Sequence, residues 1–174
     1  MRIEYKNICI RNAEKKDCEQ LAIWWNDGSV MRHAGFPNGL GTCATEIEKQ
    51  IEIDCDNTKR RLIIEIEKTP IGEMSYYNQG NNIVEIGIKI CNSNYQEKGL
   101  GRIILSMFIK ELFSMGYDKI ILDTNLKNHR AQHVYEILGF KKVRVRENCW
   151  KDQLGEVQSM VDYELEQKSF VEYK

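Results

Sequence analysis

The sequence predicts an α+β domain on one mixed sheet, and three features of its patterning predict it. Residues Ile83–Ile90 alternate strictly, with Ile86, Ile88 and Ile90 on one face and Glu85, Gly87 and Lys89 on the other, as a half-buried strand does. Two segments, Asp17–Trp25 and Leu100–Met115, instead carry apolar residues at helical spacing. The order of elements completes the case: strands and two helices first, then a helix, a strand, a helix and two closing strands.

Taken in order, Asn7–Ile10 is a short apolar strand. In the helix Asp17–Trp25, residues Cys18, Leu21, Ala22 and Trp25 share one face, and Asn26-Asp27-Gly28-Ser29 breaks it. Residues Ser29 to Thr42 contain Gly35, Pro37, Gly39 and Gly41 and read as an irregular, mobile connection. Ala44–Cys55 is a second helix, with Ala44, Ile47, Ile51 and Cys55 as its buried stripe. The period then changes to two. Leu62–Glu67 is a strand, Lys68-Thr69-Pro70 turns the chain, Ile71–Tyr77 is the next strand, and Asn78–Asn82 is a hairpin turn before Ile83–Ile90. Leu100, Ile104, Met107 and Phe108 give the following helix its apolar stripe, and Gly116 ends it. Lys119–Leu122 is a buried strand. Asn128–Leu138 is a helix stopped by Gly139, and Phe140–Arg146 and Val157–Leu165 are closing strands around a turn at Trp150–Gly155.

With 174 residues, two prolines and no repeat or low-complexity run, the chain reads as one continuous domain over residues 1–174. A formal net charge of −1 gives no electrostatic reason to expect a nucleic acid or an anionic membrane as partner. No apolar run approaches the roughly 18 residues of a membrane span. The opening MRIEYKNICIRN lacks the apolar core of a signal peptide, so the expected location is the cytoplasm. The six cysteines are scattered, with no C-x-x-C pair and no His at metal spacing, so free thiols and no metal are expected.

The stretch YQEKGLGR, Tyr95 to Arg102, places two glycines at the mouth of an apolar helix, with a cation on either side. A P-loop would need G-x-x-x-x-G-K-[ST], but Arg102 and Ile103 follow Gly101. A dinucleotide fingerprint finds two of its glycines here, and Asp123 at the distance of its ribose acid. Its third glycine position is Ile104, however, and Cys91 to Lys98 intervene where its glycines would follow the strand directly. A third reading is an anion cradle. A helix start leaves about four N–H groups unpaired with roughly half a unit of positive charge. Glycines let the backbone close on phosphate oxygens. A glycine turn that only begins a helix stays open beside these.

The motifs together resemble the GCN5-related N-acetyltransferase (GNAT) family. Gln96-x-x-Gly99-x-Gly101 matches its acyl-CoA signature. Asn128–Phe140 resembles its N-x6-Y-x3-GF block, and Val84–Ile90 resembles its fourth strand. The form is similar to the branch holding ribosomal-protein N-terminal and spermidine acetyltransferases and some aminoglycoside acetyltransferases. The resemblance runs from about residue 70 to 165; the N-terminal third matches only in its pattern of a strand and two helices.

The resemblance implies a mostly antiparallel sheet, splayed between its fourth and fifth strands and flanked by helices. It implies acetyl-CoA as cosubstrate and direct transfer to a small-molecule or peptide amine, and a homodimer is common in the branch. The backbone of Gln96, Glu97, Lys98, Gly99, Leu100, Gly101 and Arg102 would hold the pyrophosphate, and the pantetheine arm would run along Ile88 and Ile90. Asn128 aligns with a pantetheine contact, though as Asn it also suits a helix N-cap. Tyr135 aligns with the general acid, although Ala131, Val134, Tyr135 and Leu138 also form a core face. Glu85 is the candidate base; a solvated strand residue, or one that only attracts the amine, are its alternatives. Trp24, His33 and Phe36 are candidates for the acceptor pocket, His33 also as a second base. The acids Glu46, Glu48, Glu52, Asp54 and Asp56 would suit a polycation or simply form a wet helix face. Two rivals remain at this level: a non-catalytic acyl-CoA-binding module on the same scaffold, and a dinucleotide oxidoreductase.

Overall fold

Tight turns set the sheet. At Glu67-Lys68 and Asn81-Asn82 both residues take positive φ, the backbone of two-residue hairpin loops whose twist matches that of the strands. They link three long neighbours: β3 (Lys59–Ile66), β4 (Thr69–Gly80) and β5 (Ile83–Ile90). The computed structural model describes residues 1–173, and Lys174 lies outside the described residues. Eight strands form one sheet, adding β1 (Arg2–Tyr5), β2 (Ile8–Asn12), β6 (Lys119–Asn125), β7 (Lys141–Lys151) and β8 (Val157–Glu166), in the order β1-β2-β3-β4-β5-β6-β8-β7. Every neighbouring pair is antiparallel except β5 and β6.

Among the described residues, five α-helices complete the fold: α1 (Cys18–Asn26), α2 (Gly28–Met31), α3 (Ala44–Glu52), α4 (Leu100–Ser114) and α5 (His129–Ile137). The sheet separates two cores. On one face α4 buries Ile104, Phe108 and Leu112 against Leu62, Met74, Tyr76 and Val84, with Tyr135 and Phe140 in the same cluster. On the other, α1 and α3 bury Leu21, Trp24, Trp25 and Ile47 against Ile63. Arg11 pins this second layer. Its guanidinium bonds both oxygens of Asp17 at 2.7 and 2.8 Å, and Glu65 at 2.7 Å, with Arg11 and Asp17 both buried. Burial pushes the Asp17 carboxyl upward, but the Arg11 bonds and the Glu14 amide outweigh it, so its pKa is lowered.

Several sequence expectations are corrected. The strand Arg2–Tyr5 was not expected, because its four residues do not alternate long enough to register. It moves the family's strand numbering up by one here: the splay falls between β5 and β6. Residues Ser29–Thr42 are irregular only from Gly35 onward. They begin with most of α2 and a 3₁₀ turn at Arg32–Ala34, and Asn26 exchanges two hydrogen bonds with Thr42 at 2.8 and 2.9 Å. The second helix stops at Glu52 because Asp54 accepts the Arg61 amide and Cys55 bridges to Lys59. Pro70 lies inside β4, not in a turn, at the register shift opposite Ile64/Glu65, where a missing N–H is tolerated. The closing hairpin runs through Trp150 and turns only at Asp152–Gly155.

Candidate active site

The cleft begins where two strands part. β5 and β6 pair through Ile83, Val84 and Glu85 only, leaving the β5 edge from Ile86 to Ile90 without a strand partner on that side. β5 and β6 are parallel and joined by a long crossover through α4, so no tight turn holds the rest of the two strands together. The opening widens into a cleft of about 850 Å³, lined on the β5 side by Glu85, Ile88 and Ile90 and on the other by Asp123, Asn128 and Tyr135.

The glycine turn lies at one end. Gly99 takes φ +74° as the N-cap of α4, a conformation that strains any residue with a Cβ. Gly101 lines the cleft, and a Cβ there would meet only Ile90 Cδ1, at 3.9 Å. Among the described residues, the amides of Glu97, Lys98, Gly99, Leu100 and Gly101 have no acceptor, so a run of N–H groups is free at a helix start. Gln96 closes the turn onto the strand, its Nε2 donating to the Ile90 carbonyl at 2.7 Å. The rim carries charge: Arg102 stacks on Tyr173 at 4.7 Å, Lys98 lies 5.8 Å from the Tyr95 ring, and Arg130 bonds Glu97 at 2.8 Å. These groups fit a pyrophosphate, because free amides, an absent Cβ and flanking cations all favour phosphate oxygens.

Asn128 does cap α5. Its Oδ1 accepts the Ala131 amide at 3.2 Å, and the residue lines the cleft. Tyr135, two turns further on, is buried against Phe140 and Tyr163 at ring distances of 5.8 Å. Among the described residues its hydroxyl has no hydrogen-bond partner, and it borders the cleft. Burial, with a smaller push from Asp123, raises its pKa to about 12, so the phenol is protonated at neutral pH. Glu85 is half-buried opposite it, its Oε2 accepting from Gln79 Nε2 at 2.7 Å. Burial raises the Glu85 pKa, and Asp123 and Asp162 add to the effect.

The acceptor-side wall comes from elsewhere in the chain. Ser29, Val30, His33 and Ala34 line it from α2 and the turn after it, Tyr77 from β4 and Trp150 from β7. Trp150 packs on Gly35, where a Cβ would lie 2.3 Å from the indole ring. Gln153 fastens the same two segments: its amide donates to the Gly35 carbonyl at 2.9 Å, its Oε1 accepts the Asn38 amide at 2.8 Å, and its Nε2 donates to the Gly39 carbonyl at 3.0 Å.

Of the expected acceptor residues, only His33 lines the cleft. Trp24 is buried in the second core, and Phe36 lies off the cleft. Trp25 is core, its indole donating to Glu73 at 2.8 Å. None of the acids around α3 lines the cleft, Glu52 included, and four have structural partners: Glu46 binds Thr42, Glu48 pairs with Lys15, Asp54 takes the Arg61 amide, and Asp56 pairs with Arg60. Cys91 is buried, and burial with the nearby Glu73 raises its pKa to about 12, which keeps it a thiol. Asp123 is occupied by Arg146 at 2.8 Å, and nine residues separate β5 from α4, which removes the basis of the dinucleotide reading.

Sequence reasoning missed Tyr77, Trp150 and Gln153. Tyr77 was within reach, since the hairpin places it directly across from Glu85. Trp150 and Gln153 carry no local signal, because their partners lie about 115 residues away. Among the described residues no cluster of three or more His, Cys, Asp or Glu could hold a metal, and no helix is long and apolar enough to cross a membrane.

Comparison with known proteins bears on this geometry. A family model described as an acetyltransferase (GNAT) domain matches residues 7–141. The spermidine N-acetyltransferase of Vibrio cholerae, solved with CoA and spermine, superposes with a TM-score of 0.83 at 22% identity, covering 94% of this chain and 97% of that one. A Salmonella typhimurium protein solved with acetyl-CoA gives 0.76 at 20% identity, over 92% and 94%. The ribosomal protein bS18-alanine N-acetyltransferase of Salmonella typhimurium is 31% identical over 68 residues, 39% of this chain. That match spans about half of the relative's own length (46%).

Proposed function

Because the chain belongs to the acetyltransferase (GNAT) domain family, we propose that it is an acetyl-CoA-dependent N-acetyltransferase acting directly on a primary amine. The observation that carries this reading is the run of free amides at residues 97–101, set beside an open strand edge that leads to Tyr135.

Acetyl-CoA supplies an activated acetyl thioester. The amides of Glu97 to Gly101 hold its pyrophosphate, and the β5 edge at Ile88 and Ile90 aligns the pantetheine arm, with Asn128 facing it from α5. An alkylamine with pKa near ~10 is neutral in only about one molecule per thousand at pH 7, so the acceptor must lose a proton before it attacks. Glu85 takes that proton. Its raised pKa makes it a better base than a surface carboxylate, and the Gln79 amide orients it. Tyr135 faces the departing sulfur. Full proton transfer from a phenol at about 12 to a thiolate near ~8.5 runs uphill. Tyr135 therefore acts first as a hydrogen-bond donor that stabilises the developing thiolate.

The test is a melting curve with and without acetyl-CoA, followed by thiol release across an amine panel. A rise in melting temperature together with thiol release supports transfer. A rise with no release on any amine marks a non-catalytic acyl-CoA-binding module. No response to acetyl-CoA overturns the reading altogether.

A further inference from the structure

We infer that the acceptor is a primary amine carrying one positive charge on an apolar or flat body, and not a polycation. The inference rests on the acetyl-transfer reading and narrows its substrate class.

A polyamine or aminoglycoside enters a cleft as several ammonium groups, and each one removed from water needs a carboxylate free to meet it. The acceptor side offers one. Glu85 is half-buried and bonded only to a neutral amide, that of Gln79. The other acids near it are already committed. Asp162 bonds Arg144 and Arg146, Asp123 bonds Arg146, and Glu73 holds Lys89 at 2.9 Å. Asp27 and Asp152 accept only neutral donors, from Ser29 and from Leu154, Glu156 and Gln158, but neither lines the cleft, so neither can meet an ammonium held there. Lys127 also lines the cleft and forms no ion pair among the described residues, so it repels further cations. None of the acids around α3, the densest in the chain, lines the cleft.

Tyr77 lies directly across the strand pair from Glu85, and Val30, Ala34, Trp150 and Met160 give the same cleft apolar and aromatic wall. Gly87, two residues along β5, leaves the floor flat, since a Cβ there would meet only Ser75 Oγ, at 3.2 Å. One carboxylate set in such a wall recognises one ammonium attached to a ring or an aliphatic side chain. A small arylalkylamine has this chemistry, and so does a peptide N-terminus whose first residue is apolar.

The experiment uses the full chain with acetyl-CoA and compares phenethylamine, a short peptide beginning with Phe, spermidine and spermine. Thiol release gives kcat/KM for each, and the melting temperature with CoA and each amine gives binding without turnover. The expected result is a kcat/KM for phenethylamine, the peptide or both at least ~10-fold above that for either polyamine. A CoA-dependent melting shift from the same amines should accompany it. Use of only one of the two identifies the source as a small amine or a protein terminus. Trp150→Ala should lower kcat/KM for the apolar amines and leave the shift produced by acetyl-CoA alone unchanged. Turnover of spermidine or spermine equal to or above that of the monoamines overturns the inference while leaving the acetyltransferase reading intact. Turnover of nothing, with acetyl-CoA still raising the melting temperature, overturns both.

Discussion

The coenzyme side of the cleft and its acceptor side differ in how their parts are gathered. The coenzyme side draws on nearly contiguous chain: β5, the glycine turn, α4, β6 and α5 follow one another from Ile83 to Ile137. The acceptor wall joins residues 29–34 to Tyr77 and Trp150, and is held by a glutamine that reaches across about 115 residues. A local assembly can be written as a motif and carried from protein to protein. A wall made from distant loops can change one loop at a time, so specificity can shift there while the coenzyme cradle stays the same.

Substitutions on each side break the comparison in order of expected size. The largest effect belongs to the cradle. Valine at both Gly99 and Gly101 removes about three charge-assisted hydrogen bonds and should weaken acetyl-CoA about 10³-fold by calorimetry. Gly101→Val alone keeps the fold, because a Cβ there meets only Ile90 at 3.9 Å, and should still weaken the coenzyme measurably. Next comes Tyr135→Phe, which deletes the donor to the leaving sulfur. It should cut kcat about 10²-fold with acetyl-CoA affinity unchanged.

Glu85→Gln should act less strongly, about tenfold on kcat/KM, because water can also accept the proton. Its signature is in the pH profile. With Glu85 present, activity falls as pH drops and the carboxylate is protonated, earlier than for an ordinary carboxyl because its pKa is raised. That acid limb should vanish in the variant. The smallest effect sharpens the contrast most. Gln153→Ala loses two side-chain hydrogen bonds to the Asn38–Gly39 loop and should raise the acceptor KM about fivefold, with the acetyl-CoA KM unmoved. If both KM values rise together, the two sides are not independent.

The features legible in the sequence share a cause. The alternation of Ile83–Ile90 fixes which side chains share a face, and that period alone puts Glu85 on the side opposite Ile86 and Ile88. The left-handed Gly99 and the Asn128 cap are readable because turns and caps are chosen by chemistry within a few residues. Trp24 shows the limit. On a short helix, a tryptophan near its end can face the cleft or the core, and only packing against Leu21, Met31 and Ile47 decides. The acids of α3 teach the same lesson: a run of carboxylates has a sign in the sequence but no direction.

By itself, the sequence determined the order of the longer strands and helices, though not β1 or α2, together with the glycine turn and the positions of Glu85, Asn128 and Tyr135 along their elements, because hydrogen bonding and side-chain periodicity act between near neighbours. Only the tertiary structure decided that β5 and β6 part after Glu85, and that a loop at residues 29–39 closes against Trp150 and Gln153. The same is true of which carboxylates were left without a cation. Those outcomes depend on surfaces brought together from distant parts of the chain, and the free energy that joins them belongs to the contact and not to either segment alone.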